Sequence, residues 1–288
     1  MLFLGTSAAD VLPGPLCSCP LCTEARQNPA MGRLRSMFML DGENLIDCGP
    51  DFAAAVMRHG ADITRLKNIF ITHTHEDHLD YSNAGLIKYS RTRPEEPVDV
   101  YLSEMAYESV SRMYQMFVGI LPGRDSIQAK DKDLVRLHPV RAGEHYFVGG
   151  YEVMPVNTTH HATPTESAYN YLFKKNGKSL LYATDTGYYI EESLEFLKGA
   201  QLDFLVMEGT WGDRTDRSTA AHLNAFAFVE QLEIFRRYDI IRADTEIFCT
   251  HINHKHNLNH EAYQRWFREH TDYHVTVAYD GLDIGPLG

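Results

Sequence analysis

Three histidines and two carboxylates are concentrated in one short segment of the chain. Residues 72–78 read THTHEDH and directly follow an apolar stretch with the composition of a β-strand. In an extended segment, His73 and His75 project to the same side because side chains alternate with a period of two. The turn that follows lets Asp77 and His78 point to a second position nearby. Imidazole nitrogens and carboxylate oxygens are ligands of Zn²⁺, Mn²⁺ and Fe²⁺, so the segment predicts two adjacent metal ions at a catalytic site.

A second cluster is formed by cysteines. The chain has five, and three of them lie in a loop punctuated by proline and glycine: Cys17, Cys19 and Cys22. An odd number with this spacing favours metal binding over a secreted disulfide framework. A closed tetrahedral zinc site needs a fourth ligand. The candidates are Cys48, Cys249 and the histidines, among which His254 is favourably spaced.

The strands and helices that position these segments alternate along the chain. Turn signals between apolar runs predict two antiparallel hairpins, 36–40 with 44–48 and 171–174 with 179–184. Further strands are predicted at 67–72, 98–102, 151–156, 204–207, 246–250 and 274–278. Helices are predicted at 52–59, 103–116, 191–197, 220–237 and 260–270. Hairpins interleaved with helices indicate an α/β (α+β) fold with helices outside β-sheets, and the sequence has no glycine-rich nucleotide-binding motif.

Composition indicates a globular chain of 288 residues, 44% hydrophobic, with a formal net charge of −12. No composition break or repeat divides it, so we expect one domain, 1–288, that includes the cysteine loop near 17–22. The negative charge argues against a nucleic-acid partner. Without a signal-peptide pattern or a membrane-length apolar stretch, we expect a cytoplasmic protein with no membrane partner. The apolar face of the 103–116 helix is expected in the core, with a homodimer contact as the alternative.

The metal segment resembles the signature H-x-H-x-D-H of the metallo-β-lactamase superfamily, with His73, His75, Asp77 and His78 at the fixed positions. Three further segments resemble strand ends of that superfamily: LIDCG at 45–49, YATDTG at 182–187 and CTH at 249–251. The resemblance covers nearly the whole chain. It implies a four-layered αββα sandwich with the site at one edge, between two sheets.

The resemblance also implies a complete ligand set for two metal ions. The first ion would be held by His73, His75 and a third histidine. The second would be held by Asp77, His78 and His251, with Asp185 as the bridge. Asp77 and Asp185 are therefore expected to take part in catalysis as well as in metal binding.

The third histidine of the first ion is expected from the adjacent pair His160 and His161. Alternation after the predicted strand 151–156 turns only one of the two toward the site. His161 is favoured because it lies nearer to the strand at Asn170 and Tyr171, which follows this ligand in relatives. We therefore expect His161 to be the ligand.

The cysteine loop narrows the resemblance to the PhnP-type phosphodiesterases of bacterial phosphonate metabolism. GTS at 5–7, the C-x-C-x-x-C loop and YDGLDI at 279–284 are similar to that branch. Its structural zinc is held by three cysteines and one histidine, which here correspond to Cys17, Cys19, Cys22 and His254. A histidine in the position of His222 is a candidate general acid there, and a histidine can donate a proton near neutral pH.

Together the resemblances imply a hydrolase of small or cyclic phosphodiesters. A hydroxide held between two ions, manganese or zinc or else iron, would attack phosphorus, and His222 would protonate the leaving oxygen. One alternative is a ribonuclease Z-like tRNA-processing nuclease, although the sequence has neither a positive net charge nor a Gly/Pro-rich arm to grip RNA. A β-lactamase or thioester hydrolase would use the same metals. A PqqB-like, non-hydrolytic protein of cofactor biosynthesis is the remaining alternative, and a complete metal ligand set argues against it.

Overall fold

Two β-sheets form the centre of the molecule. The computed structural model describes residues 1–83, 86–87, 96–114, 135–255 and 257–288, and within these ranges thirteen strands are assigned. The first sheet has the order β1-β2-β3-β4-β5-β6. Its strands are β1 (Leu2–Gly5), β2 (Met37–Asp41), β3 (Asn44–Ile46), β4 (Asn68–Phe70), β5 (Val98–Ser103) and β6 (Val135–Val140).

The second sheet is longer and has the order β13-β12-β11-β10-β9-β8-β7. Its strands are β7 (Tyr146–Val148), β8 (Tyr151–Thr163), β9 (Glu166–Lys175), β10 (Lys178–Ala183), β11 (Leu202–Glu208), β12 (Ile241–Thr250) and β13 (Val275–Val277). Each sheet combines an antiparallel part with a parallel part, which comprises β3 to β6 in the first sheet and β10 to β13 in the second. The functional side chains described below lie mainly at the carboxyl ends of these parallel strands.

Six α-helices are assigned in the described ranges. They are α1 (Pro20–Gln27), α2 (Phe52–His59), α3 (Glu104–Tyr114), α4 (Glu191–Leu197), α5 (Ala225–Arg237) and α6 (His260–His270). A single 3₁₀ turn, Pro29–Met31, follows α1. None of the described helices is long and apolar enough to cross a membrane.

Three groups of buried side chains correspond to the three interfaces between four layers. The central group lies between the sheets and is aromatic, with Phe3 and Phe38 from the first sheet and Tyr171 and Phe248 from the second. Because side chains alternate along a strand, their neighbours face outward. The outer face of the first sheet packs against α2 and α3, and that of the second packs against α4, α5 and α6. The expected αββα sandwich is therefore confirmed.

Most sequence-predicted elements are present with small differences at their ends. Helices 52–59, 191–197 and 260–270 have the expected bounds, and both hairpins form. The helix expected at 220–237 begins only at Ala225, because the side chain of Asn224 accepts a hydrogen bond from the Ala227 amide and caps it there. His222 therefore lies in the preceding loop. The end of the predicted 103–116 helix, residues 115 and 116, lies outside the described residues, and α1, β6 and β7 were missed.

Candidate metal centre

Strand ends from both sheets converge on one site at the edge of the sandwich. Asp47 follows β3, Asp185 follows β10 and His251 follows β12. All three have left-handed backbone conformations, with φ of 63°, 53° and 55° respectively. Such angles are uncommon for residues other than glycine, and they concentrate where a site dictates the backbone. Here they bring three buried side chains into the gap between the sheets.

Three histidines form the first part of the site. Nε2 of His73 lies 2.9 Å from Nδ1 of His75, and Nε2 of His160 lies 3.1 Å from the same atom. Three nitrogens bound to one ion at 2.0–2.1 Å in tetrahedral geometry are about 3.3 Å apart, so the spacing fits a single metal. Burial holds the pKa of His73 well below its usual value and lowers that of His160 to about 4. Both rings are therefore neutral, the form that binds metals.

The structure places His160, and not the expected His161, in this group. His160 is 7% exposed and points into the site, whereas His161 is exposed and its ring lies 3.3 Å from the Ser167 hydroxyl. The pairing of β8 with β9 shifts register between Asn157 and His161. This irregularity lies just before His161, which pairs with Ser167 again, and it breaks the alternation along β8 so that His160 turns inward.

The second part of the site combines two histidines with two carboxylates. Oδ2 of Asp185 lies 3.1 Å from Nε2 of both His78 and His251, and Oδ2 of Asp77 lies 3.2 Å from Nε2 of His78. The other oxygen of Asp185 faces the first group, 3.8 Å from Nε2 of His160. Asp185 therefore lies between the two groups, with one oxygen directed to each.

Unpaired buried atoms support a cation in the second group. Nε2 of His78, Nε2 of His251 and Oδ2 of Asp185 lie close together, but their contacts do not have hydrogen-bond geometry, and these buried atoms have no hydrogen-bond partner among the described residues. The opposite nitrogen of His78, Nδ1, lies 2.7 Å from Oδ2 of the buried Asp47. That carboxylate would keep a proton on Nδ1 and direct Nε2 toward a cation, as in carboxylate–histidine–metal arrangements. The donor set fits a divalent ion.

Two buried glutamates that the sequence analysis missed orient the metal-site side chains. Glu166, at the start of β9, accepts hydrogen bonds from the Thr74 amide, at 2.9 Å, and from its hydroxyl. Thr74 lies between His73 and His75, so Glu166 fixes the segment that carries both. Glu208 ends β11, as Asp185 follows β10, and its carboxylate is also buried. Neither glutamate belongs to a sequence motif, and its role becomes visible only when it is known which strands are adjacent.

Glu208 connects the site to His222. Nδ1 of His222 lies 2.9 Å from Oε1 of Glu208 and 4.0 Å from Oδ1 of Asp185. Its ring stacks on that of His251, with 5.7 Å between centroids, and Trp211 packs edge-on against it. Burial alone would lower the pKa of His222, but the charge and hydrogen bond of Glu208 raise it to about 9. The Glu208 carboxylate therefore favours the protonated form of His222, which lies directly beside the two groups.

The cysteine loop forms a separate cluster with His254. Nδ1 of His254 lies 3.4 Å, 3.6 Å and 4.0 Å from the sulfur atoms of Cys22, Cys19 and Cys17. Zinc bound to sulfur at 2.3 Å and to nitrogen at 2.0–2.1 Å in tetrahedral geometry separates these atoms by about 3.6 Å. The four donors therefore fit a closed zinc site. The other candidate ligands, Cys48 and Cys249, are buried within the outer cores of the first and second sheets.

The family model of the beta-lactamase superfamily domain matches residues 44–262, well over half of the chain. The chain belongs to the beta-lactamase superfamily. This confirms the resemblance seen in the sequence and makes the protein a member of a metallo-β-lactamase-fold hydrolase family. The histidine and aspartate clusters accordingly support divalent metal binding.

Several solved structures have the same fold as this chain. The chain is 26% identical to a diphosphatase of the PhnP family, with a TM-score of 0.71 over 98% of this chain and 94% of that one. Zn²⁺-bound PqqB from Methylobacterium extorquens is 20% identical, with a TM-score of 0.68 over 98% of both chains. Human tRNase Z, short form, is 17% identical, with a TM-score of 0.63 over 98% of this chain and 96% of that one. Among curated protein sequences, none is significantly similar to this chain.

Proposed function

We propose that this member of the superfamily is a phosphodiesterase that acts on small or cyclic phosphodiesters. The observation that carries the proposal is the pairing of His222 with the buried Glu208 at the edge of the proposed metal-ligand cluster, which favours the protonated form of the ring. A cationic proton donor in this position matches a reaction whose leaving group is an alkoxide, because an alkoxide must be protonated as it departs.

The proposed cofactors are two divalent ions, manganese or zinc or else iron, and one structural zinc. The two ions would lie in the two adjoining groups of histidines and aspartates, which together are called the catalytic cluster. His73, His75 and His160 would hold the first catalytic ion. Asp77, His78 and His251 would hold the second, and Asp185 would bridge them. When bound, such ions supply an activated water and neutralise charge on a phosphoryl group. Cys17, Cys19, Cys22 and His254 would hold the separate zinc.

His222 would move one proton in this reaction. Because Nδ1 faces Glu208, the proton for the leaving oxygen comes from Nε2. As the bond between phosphorus and the leaving oxygen breaks, that oxygen takes the proton and the ring becomes neutral. Glu208 keeps the ring oriented, and solvent then returns the proton to Nε2. Asp185, with one oxygen directed to each group, would fix the position of the two groups relative to each other.

Charge and similarity both favour a small phosphorus substrate. The net charge of −12 opposes binding of a long phosphate backbone, which weakens the tRNA-processing alternative. The likeness to a PhnP-family diphosphatase supports chemistry at phosphorus. The likenesses to tRNase Z and PqqB are below 25% identity and concern the fold alone. The converging ligand groups favour hydrolysis over a non-hydrolytic PqqB-like role.

A substrate panel on metal-defined protein tests the proposal. It comprises bis(4-nitrophenyl) phosphate, cyclic nucleotides, ribose cyclic phosphates, a chromogenic lactam and a thioester. We expect hydrolysis of phosphodiesters and its loss in Asp185→Ala. His222→Ala should lower kcat by about 10²–10⁴ for alkyl leaving groups and by less for 4-nitrophenolate, which departs without a proton. Turnover of the lactam or thioester without any phosphodiester hydrolysis would overturn the assignment.

A further inference from the structure

Arg33 is a buried cation that the proposed reaction does not use. The residue is 7% exposed. Its guanidinium donates to the Thr6 hydroxyl and to the Ala278 carbonyl, both at 2.6 Å, and lies 3.2 Å from Nδ1 of His260. These contacts involve three of the five N–H groups of an arginine.

The charge of Arg33 lacks a direct counter-ion in the described part of the chain, where no carboxylate oxygen lies within 4.0 Å of it. Asp280 is linked to it only indirectly, because the Thr6 hydroxyl that accepts from Arg33 donates to Asp280 at 2.6 Å. Asp280 also accepts from the Leu34 amide and lies 3.7 Å from Arg58, so its charge is shared. A buried, incompletely paired cation is costly unless an anion approaches it.

Arg33 lines a cavity of about 330 Å³ between the cysteine loop and the start of α6. The volume is at the lower end of the range of small-molecule sites. Its apolar lining includes Leu12, Leu21 and Leu258. The cavity touches His254 but no residue of the catalytic cluster, so it is a separate compartment.

We propose that this cavity binds a small organic monocarboxylate with an apolar body. The carboxylate pairs with the Arg33 guanidinium, and the hydrocarbon part lies against the leucines. Two exposed glutamates, Glu24 and Glu261, also line the cavity. Their negative charge disfavours a second anionic group, which excludes dicarboxylates and multiply charged phosphates as good ligands.

The test compares 4-methylpentanoate with the matching amine, 4-methylpentylamine, and with succinate on metal-loaded protein. Calorimetric titration and thermal unfolding are the readouts. We expect saturable binding of 4-methylpentanoate and a rise in Tm of about 3 °C at saturation, with no rise for the amine or succinate. Equal effects of the carboxylate and the amine would overturn the proposal.

Variants locate the binding site. Ala30 is exposed and lines the cavity, so Ala30→Trp blocks it without touching the buried contacts of Arg33. Ala53→Trp, at an exposed position on α2, is the matched control. We expect Ala30→Trp to abolish the Tm rise and Ala53→Trp to retain it. Arg33→Gln should also abolish the Tm rise. This variant loses the hydrogen bonds to Thr6 and Ala278, and if Arg33→Gln fails to fold, Ala30→Trp decides the question.

A carboxylate can also bind a metal centre, so the titration is repeated on Asp185→Asn. We expect the Tm rise to persist there, because Asp185 lies outside the cavity. A rise that disappears in Asp185→Asn and remains in Ala30→Trp would mean binding at the catalytic cluster and would refute the second site. This test is independent of the proposed hydrolysis, because no arm of it measures turnover.

Discussion

Nδ1 of His222 lies 2.9 Å from Oε1 of Glu208, and the other oxygen of that carboxylate accepts a hydrogen bond from Thr210. The Thr210 hydroxyl in turn lies 2.9 Å from Nδ1 of His251. One buried carboxylate therefore orients both the proposed proton donor and a proposed metal ligand. The two roles are coupled, so a change at Glu208 acts on both.

Glu208→Gln should shift the alkaline limit of activity. His222 has a raised pKa of about 9, so the acid form is present below that pH and is lost as pH rises through it. Bound divalent ions would lower this pKa by charge repulsion, so the alkaline limb of the kcat–pH profile, where kcat falls as pH rises, is expected at or below about pH 9. Without the Glu208 charge, this alkaline limb should move further toward neutral pH. The measurement is kcat against pH with an alkyl phosphodiester. An unchanged limb in Glu208→Gln, or the same limb in His222→Ala, would contradict the assignment of His222.

The choice between neighbouring histidines gives a second prediction. His160→Ala should lower the metal content of the catalytic cluster by one equivalent or weaken binding of one ion by at least tenfold, because it removes a member of the three-histidine group. His161→Ala is the matched control, since its ring is exposed and contacts Ser167. Metal analysis after gel filtration gives the stoichiometry. Metal loss in His161→Ala with none in His160→Ala would contradict the assignment of His160 and would mean that His161 turns toward the metal instead.

The difference between these two histidines illustrates what the sequence could and could not reveal. The proposed ligands His73, His75, Asp77 and His78 lie within six residues, so their spacing in the sequence already groups them. Helix α6 has the predicted bounds, and in the structure the side chain of Asn259 caps its start. The inward turn of His160 depends on a local irregularity between β8 and β9, which leaves no periodic signal. Glu166 and Glu208 were missed because their partners are distant in sequence and adjacent only once the sheets form.

The cysteine cluster predicts a separable effect on stability. Cys19→Ser should remove one equivalent of zinc and lower Tm by more than about 5 °C, because the proposed ion would tie the loop around α1 to the segment after β12. The catalytic ions should remain, since none of their ligands lies in that loop. Ser18→Ala, at an exposed neighbouring position, is the control and should keep all metals. Unchanged zinc content in Cys19→Ser would exclude the cysteine from the site.

An ion network at the far end of the second sheet predicts how stability depends on acid. Asp203 is 7% exposed and accepts hydrogen bonds from Lys178 at 2.7 Å, from Arg242 at 2.6 Å and from the Ser179 amide at 2.9 Å. Burial opposes ionisation, but these donors hold the pKa of Asp203 below its usual value. A lowered pKa in the folded state stabilises the protein above the unfolded-state pKa of about 3.9, and the contribution is lost as pH falls through the folded-state pKa.

Asp203→Asn should therefore destabilise the protein near neutral pH, and the difference from wild type should shrink below about pH 4. A buried carboxylate with charged donors contributes about 1–3 kcal/mol, which corresponds to roughly 2–5 °C in Tm for a chain of this length. Asp244→Asn is the matched control, because Asp244 pairs with the same Arg242 but has a 77% exposed side chain, so its loss should cost less than about 1 kcal/mol. Thermal unfolding of all three proteins between pH 3 and pH 7 gives both differences. If the cost of Asp203→Asn stays constant across that range, ionisation of Asp203 is not what stabilises this end of the sheet.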